Sequence, residues 1–158
     1  MKERVVGVAQ YAVDAGEVVL ITLGLGSCVA MALHDPVAKA GALVHLLLPS
    51  ASMSLDQSNP ARCAETALPV LLRELAAVGA RRDRLTARLA GGASMFGPSP
   101  GLPPMGKRNV TAARTVLAAA QIPVIGEDVL GGHGRSIYFY LEDGRIEVRS
   151  LAGGNVLL

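Results

Sequence analysis

The first fifty residues hold four short apolar runs rich in β-branched and aliphatic side chains, parted by turn segments of only three to seven residues. The runs are Arg4 to Val13, Val18 to Leu23, Cys28 to Leu33 and Ala42 to Leu48, and their composition predicts strands. "DAGE" (14–17), "GLG" (24–26) and "DPVAKAG" (35–41) supply the glycines and the Asp-Pro pair that tight turns use. A parallel crossover needs a dozen or more residues, so these connections predict that consecutive strands are antiparallel neighbours.

After the polar segment "SASMSLDQS" the apolar period changes to that of a helix. Asn59 is suited to an N-cap and Pro60 to the first helical position; Leu68, Leu71, Leu72, Leu75 and Val78 then repeat at helical spacing up to Gly79. Pro69 inside this stretch is expected to kink the helix or split off its first turns. Leu85 to Ala90 reads as a strand ending at Gly91-Gly92, and "SMFGPSPGLPPMG" (94–106) as an irregular surface loop near function. A second helix, Arg108 to Ala120, would bury Val110, Ala113, Val116, Leu117 and Ala120. Strands at Val124 to Val129, Ser136 to Leu141 and Arg145 to Leu151 close the chain, the last two joined as a hairpin through "EDG". This order lacks the regular alternation of a doubly wound parallel sheet. The expected fold class is α+β: layered antiparallel β-sheets flanked by two main helices, in a single domain over 1–158.

With 51% apolar residues, 158 residues suffice for one core. The net charge of +2 is too weak a field to argue for a polyanion, so no nucleic-acid partner is expected. The densest basic run, "ARRDRLTAR" (80–88), has no interleaved aromatic platform and reads as a solvated loop. "MKERVVGVAQ" (1–10) starts charged and turns apolar only briefly, so no secretory segment is expected, and no apolar run approaches the roughly 18 residues of a membrane span. A soluble protein of the reducing cytoplasm, without membrane insertion, is therefore expected, its two cysteines unbridged. "GLGSCVA" lacks the lysine of a phosphate loop, "GGHGRS" lacks a dinucleotide fingerprint, and no Cys-x-x-Cys or His-x-x-x-His spacing occurs. No cofactor and no metal are expected.

The chemistry concentrates at Cys28 and His45. A four-residue turn at "DPVA" sets Asp35 opposite Ala38 and, counting back, Cys28 opposite His45. A hairpin loop at Gly24 to Gly26 sets Thr22 opposite Cys28. Thr22, Cys28 and His45 would then form one row across three neighbouring strands, with β-carbons about 4.5–5.5 Å apart. That row suits a thiol nucleophile, a base and a group that orients the base. An inert buried cysteine and a hydrogen-bonded core histidine would produce the same residues without any catalysis. Cys63, at a helix start, reads as a packing residue; His34 is expected to be exposed and His133 to face solvent.

The stretch "TLGLGSCVAMALHDPVAKAGALVHLLLP" (22–49) closely resembles the signature of the CheD family, the chemoreceptor glutamine deamidases. "GGASMF" (91–96), "GKRNV" (106–110) and "GGHGRSIYF" (131–139) resemble that family's later motifs in the same order. The resemblance implies a cysteine-dependent protein-glutamine glutaminase acting on chemoreceptor cytoplasmic domains in chemotaxis adaptation. It matches Cys28 to the nucleophile, His45 to the general base and Thr22 to the third catalytic position, and implies an α/β/β sandwich related to the cytotoxic necrotizing factor toxins. It also implies a CheC-type phosphatase as partner. The loop "GPSPGLPPM" is richer in proline than the family pattern, and Cys63 stands where an aromatic residue is common. Backbone N–H groups around Gly26, Ser27 and Cys28 are the expected oxyanion donors, and an activated Cys28 is expected to be alkylated faster than an ordinary thiol. The alternative is a non-catalytic adaptor that binds chemoreceptors and the phosphatase.

Overall fold

The computed structural model describes residues 1–96 and 100–158, and in it the first apolar run is two strands. Strand β1 (Lys2–Val5) and strand β2 (Tyr11–Ala15) are parted by a corner in which Gln10 N–H donates to Gly7 O at 3.1 Å and Ala9 adopts a φ of 56°. The corner sends the two strands into different sheets. β1 lies parallel to β3 (Val18–Leu25), whereas β2 pairs antiparallel with β5 (Ala40–Leu46). The expectation of consecutive antiparallel neighbours therefore fails at "DAGE" and "GLG", whose flanking strands lie in different sheets, and of the three connections holds only at "DPVAKAG", between β4 (Val29–Asp35) and β5.

The failure at "GLG" has a clear cause. Leu25, the middle residue of the supposed hairpin loop, is completely buried and is the last residue of β3. A hairpin tip would have left it in water. The chain instead leaves β3 after Leu25 and crosses through Gly26 and Ser27 to the other sheet.

The remaining elements are α1 (Ala64–Ala77), β6 (Thr86–Gly91), α2 (Met105–Ala119), β7 (Val124–Val129), β8 (Arg135–Tyr140), β9 (Ile146–Ser150) and β10 (Gly154–Leu157). They form a central sheet ordered β2-β5-β4-β6-β7 and an outer sheet ordered β1-β3-β8-β9-β10. Each is mixed rather than purely antiparallel: β1 runs parallel to β3, and β6 parallel to β7 across the α2 crossover. The β8–β9 hairpin forms as its sequence predicts, and β10 adds an edge strand that the sequence pattern did not reveal.

Every residue of β4 and β5 is buried, as befits a layer covered on both faces. Val29, Met31, Leu33, Ala42, Val44 and Leu46 point to one face and pack against Leu68, Leu71 and Leu75 of α1 and Val110, Ala113 and Leu117 of α2. Ala30, Ala32 and Leu43 point the other way, onto Leu20, Ile137, Phe139, Ile146 and Val148 of the outer sheet. Three layers result, helices, central sheet and outer sheet, consistent with the α+β class.

Asn59 does cap a turn, accepting from Ala61 N–H at 3.0 Å, but that turn is a short 3-10 segment, Pro60–Arg62. Cys63 is extended, and α1 begins after it and continues through Pro69. His34 is buried, not exposed: Nε2 donates to Leu141 O at 2.7 Å, and the ring stands edge-on to Phe139. The basic run is also more than a solvated loop, because Arg84 pairs at 2.9 Å with the buried Asp35, which also accepts from Arg81 N–H. Of the loop expected over 94–106, Gly97 to Ser99 lie outside the described residues. Among the described residues no helix is long and apolar enough to cross a membrane.

Candidate active site

His45 sits near the end of β5 with Ala30 of β4 directly opposite. Ala30 faces the outer sheet, so His45 does too, and there it meets Thr22 of β3. Thr22 Oγ1 lies 2.7 Å from His45 Nδ1 and 2.6 Å from the carbonyl of Val6. Both side chains are buried. A carbonyl oxygen can only accept, so the Thr22 hydroxyl spends its single proton on Val6 O and must accept from Nδ1–H. The proton is thereby fixed on Nδ1, and Nε2 carries a lone pair. Among the described residues Nε2 has no hydrogen-bond partner.

Cys28 precedes β4 and is half-buried against the core between the sheets. It does not stand opposite His45. The observed register pairs Asp35 with Ala40 and Val29 with Leu46, two residues away from the register expected from a four-residue turn. Pro36 to Lys39 form a longer connection, with Lys39 at a φ of 50° and Asp35 Oδ1 accepting from Val37 and Ala38 N–H. The shift is even, so it leaves Cys28 on the face of Ala30 and His45, diagonal to the histidine rather than across from it. No hydrogen bond joins Sγ to Nε2 among the described residues. Thr22 reaches His45 from the opposing sheet and not from a neighbouring strand, so the expected row across three strands is replaced by a contact between layers.

Burial sets the electrostatics. It pushes the Cys28 thiol up and His45 down from their ordinary values, so both groups are neutral at rest. This runs against the expected thiolate of unusual reactivity. Cys63 is buried and within 3.2 Å of Thr66 Oγ1, a packing environment at the start of α1. His133 is partly exposed in the loop before β8. Neither is hydrogen-bonded to Thr22 or His45 among the described residues. Among the described residues no cluster of three or more His, Cys, Asp or Glu side chains gathers to hold a metal.

A model of the family described as CheD, chemotactic sensory transduction, matches residues 47–150. The chain is 43% identical over 155 residues to the chemoreceptor glutamine deamidase CheD of Thermotoga maritima, covering 98% of this chain and 96% of that one. It is 42% identical over 151 residues to a protein of Caldanaerobacter subterraneus named as a probable chemoreceptor glutamine deamidase CheD, covering 94% and 93%. A Pyrococcus abyssi protein of the same name is 42% identical over 158 residues, covering 99% and 96%. The chain belongs to the CheD family. The family-model match begins two residues beyond His45, while the relatives align over nearly the whole chain, the Thr22–His45 segment included in its length.

In this CheD chain the segment joining the two sheets is held by its carbonyls. Gly26 O accepts from Ala93 N–H at 2.9 Å, Ser27 O from Asn109 Nδ2 at 2.9 Å, and Cys28 O from Gly92 N–H at 2.8 Å. Among the described residues no protein group accepts from the N–H of Gly26, Ser27 or Cys28. A cavity of about 370 Å³ opens beside Gly26 and Ser27, bounded by Met95, Phe96, Met105 and Gly106. Sequence reasoning gave Asn109 no role, although "GKRNV" was singled out. A signal was present: Gly106, Asn109, Val110, Ala113 and Leu117 all lie on the buried stripe of α2, and an asparagine in an apolar stripe needs a reason.

Proposed function

We propose that this chain deamidates glutamine side chains of chemoreceptors to glutamate, with Cys28 as nucleophile, His45 as general base and Thr22 orienting the imidazole. The observation that carries the reading is the Thr22 to His45 Nδ1 bond, which leaves the Nε2 lone pair on the face that His45 shares with Cys28. The curated relatives' names, which specify a chemoreceptor glutamine deamidase, supply the substrate class.

Because thiol and imidazole are both neutral at rest, proton transfer accompanies attack instead of preceding it. Nε2 takes the Sγ proton as sulfur bonds to the glutamine carbonyl carbon, and the carbonyl oxygen becomes an oxyanion. The N–H groups of Gly26, Ser27 and Cys28 are the donors nearest in sequence to the nucleophile and suit that oxyanion. The tetrahedral intermediate collapses as its C–N bond breaks, and the proton on Nε2 leaves with ammonia. Water, with His45 again as base, then hydrolyses the thioester to glutamate and restores the thiol. That no hydrogen bond joins Cys28 to His45 Nε2 among the described residues of the free protein is compatible with this course, since catalytic hydrogen bonds commonly tighten only with substrate bound.

The reading carries with it a cytoplasmic location, where the receptor substrate domains lie, and a role in adaptation. It also includes a CheC-type phosphatase that binds over the Cys28 mouth and so competes with receptor. In the described part of the loop over 94–106, Met95 and Phe96 are exposed and border the cavity beside Ser27, which supports that loop as a rim for both ligands. The decisive experiment is mass spectrometry of purified receptor cytoplasmic fragments incubated with wild-type protein and with Cys28→Ala. Glutamine converted to glutamate by the first and not by the second is expected. Unchanged glutamine with intact receptor binding would instead favour an adaptor.

A further inference from the structure

We infer that Asn109 is a positioning residue for this reaction, joining the Cys28 segment to the end of β5 and so setting the approach of nucleophile to base; the inference rests on the catalytic reading above. Asn109 is buried on α2 and donates both Nδ2 hydrogens, to Ser27 O at 2.9 Å and to Leu47 O at 3.3 Å. Ser27 O belongs to the peptide that carries the Cys28 N–H. Because that peptide is planar, fixing its carbonyl also fixes the direction of the N–H on its other side. Leu47 lies two residues beyond His45, where the β4–β5 ladder has already ended at Val29 and Leu46. One amide thus ties together two segments that no ladder pair connects.

The orientation of the amide follows from its partners. A flipped side chain would set Oδ1 against two carbonyl oxygens, so Nδ2 must face them. Oδ1 has no partner among the described residues. A leucine would match the apolar stripe of α2 without leaving a buried acceptor unpaired, so the asparagine is accounted for by its two donors. Close packing lets it reach. A side chain at Gly106, one turn earlier, would run into the carbonyls of Gly92 and Ala93, the same stretch that holds Gly26 and Cys28 from the other side.

The test compares Asn109→Leu and Asn109→Ala with wild type, Cys28→Ala and Leu117→Ala, the last a destabilising change in the core of the same helix. A purified chemoreceptor cytoplasmic fragment is the substrate; kcat, KM, thermal midpoint and the pH dependence of iodoacetamide modification of Cys28 are measured. We expect kcat to fall by about tenfold or more in both Asn109 variants with KM changed by less than about twofold. The alkylation profile should also shift, while Leu117→Ala melts earlier yet keeps its kcat when folded. The inference is overturned if folded Asn109→Leu or Asn109→Ala keeps kcat within about twofold of wild type, or if activity is lost only in step with folded fraction, as in Leu117→Ala. Turnover by Cys28→Ala would overturn the catalytic reading itself.

Discussion

Replacing Thr22 with valine removes one hydroxyl and keeps the branched shape of the side chain. Two bonds go with it, the donation to Val6 O and the acceptance from His45 Nδ1–H. Both groups are buried, so no bulk water replaces the hydroxyl, and an unpaired polar group there costs about 1–3 kcal/mol. The imidazole can relieve its unpaired Nδ1–H by carrying the proton on Nε2 instead, but that tautomer has no lone pair to receive the Cys28 proton. The same 1–3 kcal/mol therefore opposes the active tautomer and the imidazolium formed during attack, which corresponds to a fall in kcat of about 5- to 160-fold. KM for a receptor fragment should change little, because Thr22 lies beneath the histidine and away from the cavity beside Ser27. Thr22→Ser keeps the hydroxyl and should lose far less. The assay is the rate of glutamine-to-glutamate conversion on a receptor fragment, followed by mass spectrometry under saturating substrate. Wild-type kcat in a folded Thr22→Val protein would refute the argument that this hydroxyl sets the histidine tautomer.

Burial holds His45 below its ordinary value and Cys28 above its own, so kcat/KM should rise with pH along a limb centred below the usual histidine value of about 6.5. Alkylation of Cys28 without substrate should lag behind that of a free thiol as pH is raised. His34 and His45 are both held down by burial, so the unfolded chain takes up protons first; stability should be full above about pH 6.5 and decline as pH falls below it, as urea titrations would show. Cys63→Ala should leave kcat within about twofold of wild type, because the Cys63 thiol packs at the start of α1 against Thr66 and makes no hydrogen bond to His45 among the described residues; loss of turnover would mean the nucleophile is misassigned. Gly91 has a φ of 104°, and a methyl group there would meet Cys28 O, so Gly91→Ala should lower both kcat and thermal midpoint. An unchanged kcat in that variant would show that the path of the Cys28 segment does not matter.

Local chemistry made much of the architecture legible. Leucines at helical spacing marked α1, the Val110 to Leu117 stripe marked α2, and β-branched runs marked most strands, because burial of one face imposes a period on the sequence whatever the partner is. The cysteine and histidine also stood out, since few other side chains here suit nucleophile and base. Strand adjacency was legible only at the β4–β5 and β8–β9 connections, and which strands meet across the rest of the two sheets was beyond such reasoning. "GLG" has the composition of a hairpin, yet Leu25 is buried and the chain changes sheets there. "DPVAKAG" accommodates either a four-residue turn or the longer connection seen, and the choice moved β4 against β5 by two residues. Because that slip is even, Cys28 and His45 kept a common face although the pairing was wrong. The contact between Thr22 and His45 was decided by tertiary structure alone, for it spans two sheets packed face to face. No period, turn length or residue spacing along one chain encodes which hydroxyl in the opposing layer will meet a given ring.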